Sequence, residues 1–371
     1  MVDRRRIVRL WNAGGAQALV TLVRVEGSSY RKAGAHLLIG AGSECAGSIS
    51  GGCLESEVAR RAVWMVRAGA VVERYSTLFD NTAEIPYGLG CGGVVDLLLE
   101  AADTAECRAL VEAMDASLAG REARVVTWLP ASERPMRRAI IGSDGAVVFR
   151  SEGLNAGDLD EISHHSRDTV DCTSEVYVET LAAPQRLFVL GAGEDAKPLA
   201  TMASLLGWSV TVADGRAQLA RAERFAEAES VLATASVAEL EVRAKDAVVV
   251  MTHSYEQDRA FLAELLAGAA GYIGLLGAVH RSSLLIGEAA AMLGRSMVEC
   301  CARVWAPVGL DLGGDGAEAI ALAVVAEVQA WRQGKLGASR RLSAEDVARQ
   351  IEKGDASRYV QTRCAIGASE R

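Results

Sequence analysis

The sequence predicts an α/β chain, in which an N-terminal α/β domain is followed by a doubly wound parallel sheet. Three observations carry this. Half of the residues are hydrophobic, yet only 5% are aromatic and 37 are glycine, and small side chains let helices lie close on a sheet. From residue 186 onward, short apolar runs alternate with helical periodicity. Between the first such run and the first such helix stands a glycine turn.

With 371 residues the chain is too long for one ordinary domain, so two domains and a tail are expected. The first domain is assigned to residues 1–183, the second to 184–334 and a polar tail to 335–371, with the break at Ala182-Ala183-Pro184-Gln185. In the first domain, residues 18–25 and 36–39 read as strands and 52–68 as a helix. An apolar run at 94–100 precedes a helix at 104–118, and residues 124–150 read as strands around a Ser143-Asp144-Gly145 turn. In the second domain the strands are 186–190, 209–213, 247–251 and 272–276, with helices at 195–206 and 318–331. Cys300 and Cys301, if extended, would point their thiols to opposite faces, so no joint metal site is expected of them. In the tail, Ser343 and Asp346 read as a capping box.

The formal net charge of −9 argues against a nucleic-acid partner gripped through its phosphates. Arg4-Arg5-Arg6 reads as a solvated helix start. Neither an apolar leader nor a membrane-length run is seen, so a cytoplasmic protein without a membrane partner is expected. The eight cysteines are irregularly spaced without a CxxC pair, which speaks against a disulfide framework or a zinc ribbon. No metal site is assigned.

Gly191-Ala192-Gly193-Glu194-Asp195-Ala196 has the form of a dinucleotide-binding turn, which makes the second domain Rossmann-like. Gly191 is expected to allow the tight turn and Gly193 the close approach of a phosphate. Asp214, 21 residues after Gly193, is placed to accept from a ribose diol. Glu194 and Asp195 would repel a phosphate there, and Asp195 alternatively caps the helix. Arg216 reads as a surface arginine, and His253 as a loop histidine bonded to its neighbours.

Earlier in the chain, Gly47-Ser48-Ile49-Ser50-Gly51-Gly52-Cys53-Leu54-Glu55 is a loop running into a helix. Gly90-Cys91-Gly92-Gly93, whose cysteine lies 38 residues after Cys53, runs into a strand. Glycines on these flanks allow close backbone approach and offer N–H groups to oxyanions. A cysteine in a helix's first turn has its thiolate stabilised. Two thiolates leave a zinc site half built and suit a sulfur-rich, phosphorylated cofactor better. The alternative is two small residues tucked under glycine turns. Glu55 is read as suiting the helix dipole, and Cys107, on an outlying helix, as a thiol whose loss should be nearly silent.

These loops resemble the signature of the XdhC/CoxI family, the xanthine dehydrogenase accessory factors. Gly27-Ser28-Ser29-Tyr30-Arg31-Lys32-Ala33-Gly34-Ala35 is similar to that family's preceding loop. Gly191 to Leu199, Tyr272-Ile273-Gly274-Leu275-Leu276-Gly277 and Ala306-Pro307-Val308-Gly309 resemble its later motifs. The resemblance implies a carrier without turnover of its own. Such a carrier binds the molybdenum cofactor, supports its sulfuration and passes it to a molybdenum hydroxylase, with a cysteine desulfurase as second partner. It places Cys53 and Cys91 in the cofactor region, shaped by Gly51, Gly52, Gly92 and Gly93. Tyr30, Glu194 and Trp305 depart from the family's usual proline, histidine and histidine. An NAD(P)-dependent oxidoreductase built on the Rossmann-like half stays open beside this reading, as does a thiol redox protein using Cys53 and Cys91. A homodimer is also expected.

Overall fold

The computed structural model describes residues 1–52, 54–76, 93–131, 134–155, 157–158 and 175–337. They form two compact units, one over Val2–Ala183 and a second from Pro184.

The first unit opens on α1 (Val2–Ala13), β1 (Ala16–Gly27), β2 (His36–Gly40) and β3 (Cys45–Gly47). Next come α2 (Glu55–Met65), β4 (Val71–Ser76), β5 (Gly93–Ala101) and α3 (Ala105–Leu118). Four strands follow: β6 (Ala123–Trp128), β7 (Arg137–Gly142), β8 (Val147–Arg150) and β9 (Val176–Leu181). Two antiparallel sheets result, in the orders β3-β2-β1-β5-β4 and β8-β7-β6-β9. Along β5 the side chains alternate between two cores. Leu97 and Leu99 pack with Val58 and Ala62 of α2, while Leu98 faces Val23 and Tyr177. A third core places Ile7 of α1 and Leu110 and Met114 of α3 with residues of both sheets, Leu19 and Val125 among them. The expected helix at 52–68 is shorter than its periodicity suggested. It starts at Glu55, ends at Met65 and closes through a 3-10 turn over Val66–Ala68. Gly69, with φ +124°, stops it.

The second unit runs β10 (Arg186–Leu190), α4 (Ala196–Leu205), β11 (Ser209–Ala213), β12 (Ser230–Leu232), β13 (Ala247–Val250) and α5 (Tyr255–Ala267). It closes with β14 (Tyr272–Leu275), α6 (Val279–Leu293), α7 (Met297–Cys301), β15 (Val304–Trp305) and α8 (Ala317–Arg332). Its six strands are all parallel, in the order β12-β11-β10-β13-β14-β15. That is the 3-2-1-4-5-6 order of a Rossmann sheet, with its switch point between β10 and β13. Both faces are covered, which is why the strands read as unbroken apolar runs. Phe188, Leu190, Val248 and Val250 pack under α5 and α6. Leu187, Val189 and Val249 pack under α4 and α8. Cys300 and Cys301 are helical, not extended, with Cys300 buried and Cys301 exposed. The helix start is set by a capping box at Ser296 and Glu299. The box expected at Ser343 lies outside the described residues.

Candidate functional site

In the first unit the glycine–serine loop is folded by a residue of its own signature. The Glu55 carboxylate accepts from the Ser48 hydroxyl at 2.8 Å and from the Ile49 and Ser50 N–H groups at 3.2 and 2.8 Å. It also accepts from the Ser50 hydroxyl. Ser50 Oγ in turn accepts from the N–H groups of Leu54 at 3.1 Å and Gly52 at 3.3 Å. Glu55, read from sequence as a dipole partner, is thus the acceptor around which the loop is wound. The Ile49 and Ser50 amides are directed to it and not outward. Partial burial pushes its carboxyl up, but the bonds from Ser50 and Ser48 outweigh burial and hold it below the ordinary carboxylate value.

A carboxyl held low stabilises the fold above its unfolded pKa, and that contribution is lost as pH falls through the folded value. Glu55→Gln is therefore expected to lower the thermal midpoint at pH 7. The gap from the parent should close as pH drops below about 4.3. Thermal scans of both proteins between pH 3 and 7 check this, and a gap independent of pH would show that the Glu55 charge plays no part.

The loops reach one end of the five-stranded sheet through strand register. Gly93 opens β5 opposite Gly27 of β1. A Cβ on Gly93 would sit 2.1 Å from the Ser28 carbonyl oxygen, so only hydrogen fits where the two backbones meet. The Tyr30 ring, 73% exposed, lies over Gly51, whose added Cβ would stand 3.5 Å from it. Gly52 has φ +109° and open space above it. Gly93 thus packs against the Ser28 carbonyl and Gly51 under the exposed Tyr30 ring, so both adjoin the segment 27–30 that leaves β1. Cys53, Cys91 and Gly92 lie outside the described residues. Cys45 is exposed on β3, and its thiol is pushed up by partial burial and by the Glu55 carboxylate.

In the second unit Gly191, Gly193 and Asp214 gather at the switch point. Gly191, with φ +134°, carries the close approach: a Cβ there would meet the Met251 carbonyl oxygen at 2.4 Å. At Gly193 the nearest neighbour of a Cβ is the Asp195 side chain. Asp214 is fully buried, and its oxygens accept from Ala192 N at 2.8 Å, Arg216 N and Nε at 2.9 Å and an Arg216 Nη at 2.8 Å. Burial raises this carboxyl, yet the Arg216 and backbone bonds bring it below its ordinary value. A ribose diol would have to displace Arg216, which also donates to the Thr252 carbonyl at 2.8 Å. Arg216 is thus a brace between two strand ends and not a free surface cation.

The acids beside the turn are compensated. Glu194 pairs with Lys197 at 2.6 Å and Arg224 at 2.7 Å, and these bonds hold its carboxyl low. Asp195 occupies the cap position without a capping bond. Its Oδ2 instead lies 2.7 Å from His253 Nε2. His253 is a non-glycine residue at φ +61°, fixed by Thr252, whose N–H and hydroxyl donate to buried Asp258 at 3.1 and 2.6 Å. From sequence His253 stands at the carboxyl edge of the sheet as a loop histidine bonded to its neighbours; its contact with Asp195, 58 residues away, is not legible there. Trp305 stacks on Tyr272 at 4.6 Å. Among the described residues there is no cluster of three metal-ligating side chains. Nor is any helix there long and apolar enough to cross a membrane.

The family model for the XdhC and CoxI family matches residues 10–76, and that for the XdhC Rossmann domain matches residues 187–328. The chain belongs to the XdhC and CoxI family. The XdhC and CoxI match contains the loop wound around Glu55, and the XdhC Rossmann match contains Gly191, Gly193 and Asp214. A Bacillus subtilis (strain 168) protein described as a probable xanthine dehydrogenase subunit is 28% identical over 323 residues, 84% of this chain and 91% of that protein. The uncharacterized protein YqeB of Escherichia coli (strain K12) is 29% identical over 165 residues, 43% of this chain and 30% of its own length. A crystal structure of a protein described as a xanthine dehydrogenase from Bacillus halodurans shares the fold. Its TM-score is 0.77 at 24% identity, over 94% of this chain and 99% of that one.

Proposed function

We propose that this chain is an accessory factor that binds the molybdenum cofactor, supports its sulfuration and delivers it to a molybdenum hydroxylase of the xanthine dehydrogenase class. A cysteine desulfurase is the implied sulfur donor. The observation that carries the reading is that Gly51 and Gly93 both adjoin the segment 27–30, where β1 ends. Open space stands above Gly52, and the exposed Tyr30 ring lies beside it. A flat pterin suits an aromatic plate, and glycine backbone lets a bulky anionic group come close. The cofactor, when bound, supplies the molybdenum centre and its dithiolene sulfurs; the chain supplies the surface, the loop geometry and, by this reading, the thiols of Cys53 and Cys91.

The test is the ligand released from protein expressed with an active molybdenum pathway, read by metal analysis and mass spectrometry. Cys53→Ala and Cys91→Ala are expected to lose most cofactor and most activation of an apo-hydroxylase, with thermal midpoints close to the parent's. Cys107, whose loss was expected from sequence to be nearly silent, is unsuited as a control. It is 0% exposed inside the core between α1, α3 and the sheets, so its removal opens a cavity. Cys301, exposed on α7, serves instead. Full cofactor content and activation in both variants would remove the thiols from the account.

A further inference from the structure

The first unit has a cavity of about 900 Å³ at the other end of the five-stranded sheet. It is bordered by Ala16 and Ala101, whereas Gly27 and Gly93 pair at the opposite end of β1 and β5. Eight residue steps along β5 separate the two ends, about 27 Å at roughly 3.4 Å per residue. Its volume falls within the range of small-molecule sites, about 300–1,000 Å³.

The charges around it are unevenly satisfied. At the floor, Glu100 is held by both terminal nitrogens of Arg138, at 2.8 and 2.9 Å, and Glu106 accepts from the Ser151 hydroxyl at 2.7 Å. Arg67, Arg137 and Arg150 reach the cavity from three different elements. Among the described residues, none of the three has a carboxylate within ion-pair distance; Arg137 donates an Nη to the Gly153 carbonyl at 3.0 Å, while its Nε is buried without a partner. Asp103 and Glu152 border the same space, likewise without a cation. Met136 and Phe149 give it an apolar wall. Guanidiniums without a carboxylate partner seek a phosphate or carboxylate. Unpaired carboxylates seek N–H donors, and the wall seeks a flat apolar body.

We propose that this cavity binds a phosphomonoester of a fused heterocycle with an aminopyrimidine edge, the chemistry of a guanine mononucleotide, at a site separate from the glycine loops. The arginines hold the phosphate, the ring lies on Met136 and Phe149, and Asp103 or Glu152 accepts from the ring N–H and amino groups. Calorimetric titration of the full chain with GMP, AMP and inorganic phosphate tests it. GMP is expected to bind, with AMP and phosphate weaker by about ten-fold or more, the loss of one charge-assisted contact. Arg137→Ala should weaken GMP by a similar factor. Arg67→Ala and Arg150→Ala, changes at the rim that leave the floor intact, should do the same. The double variant Asp103→Asn/Glu152→Gln should abolish the preference for GMP over AMP. Metal content of the same preparations is expected to stay at the parent's value, so the outcome is independent of where the molybdenum cofactor sits. No saturation by millimolar GMP, phosphate binding as tightly as GMP, or unchanged affinity in all three arginine variants would overturn the proposal.

Discussion

Arg138→Ala is expected to destabilise the first unit by about 3–5 kcal/mol, the cost of leaving one partner of a buried ion pair without the other. Arg138 and Glu100 are 1% and 0% exposed and bonded in bidentate fashion at 2.8 and 2.9 Å. The guanidinium is otherwise satisfied, with Nε donating to Thr127 at 3.1 Å and an Nη to the Glu106 carbonyl at 2.9 Å. Burial alone would lower its pKa, yet Glu100 carries it above the ordinary arginine value. Removing Arg138 strands a carboxylate where water reaches poorly and frees a hydroxyl and a carbonyl at once. Removing both charges with matched volume is a different experiment. Arg138→Met with Glu100→Leu is expected to recover most of the loss, since the desolvation of two ions disappears with their attraction. Urea unfolding of the parent, the single and the double variants separates these cases. A single-variant loss below about 1 kcal/mol would mean that Glu100 is hydrated through the cavity it borders.

That pair also shows where sequence reading ends. The partners stand 38 residues apart on strands of different sheets, and no local pattern marks either as buried. The second unit was legible because its strands are apolar on both faces and its turn carries glycines at fixed spacing. In the first unit, β3 has three residues, too few to show a period of two. In β9, the pattern Val176-Tyr177-Val178-Glu179-Thr180 places a charged residue on a strand. Glu179 is tolerated there because His36, 143 residues away, lies 3.3 Å from it.

The candidate sites divide the same way. The glycine loops stand out as sequence, but the approach of Gly93 to the segment that leaves β1 depends on the register that sets it against Gly27. The role of Glu55 depends on a loop closing back on its own helix. At the Rossmann turn, Glu194 and Asp195 read as repulsive because the side chains that answer them are remote or unremarked. Arg224 is 30 residues from Glu194, and His253 is 58 from Asp195.

The two glycines of that turn are expected to part company under substitution, with Gly191 giving the largest loss in the second unit. At φ +134° a side chain is strained in any case. Its Cβ would also lie 2.4 Å from the Met251 carbonyl oxygen, 2.5 Å from that carbonyl's carbon and 2.8 Å from Thr252 N. Those atoms cannot retreat, since Met251 N bonds the Leu190 carbonyl at 2.7 Å and Thr252 is tied to Asp258 and Arg216. Gly191→Ala should therefore cost about 4 kcal/mol or more, in the range reserved for backbone strain combined with overpacking. Gly191→Val should fail to yield a folded second unit. Gly193→Ala meets only Asp195 Oδ1 at 2.6 Å, the end of a side chain that can rotate. Its cost should stay below about 1 kcal/mol, while Asp195 is pulled from His253. Thermal midpoints with amide exchange over β10 and β13 read both variants. Equal and small losses would show that strand ends at the switch point tolerate a methyl group, and that Gly191 is retained for a ligand instead of for the fold.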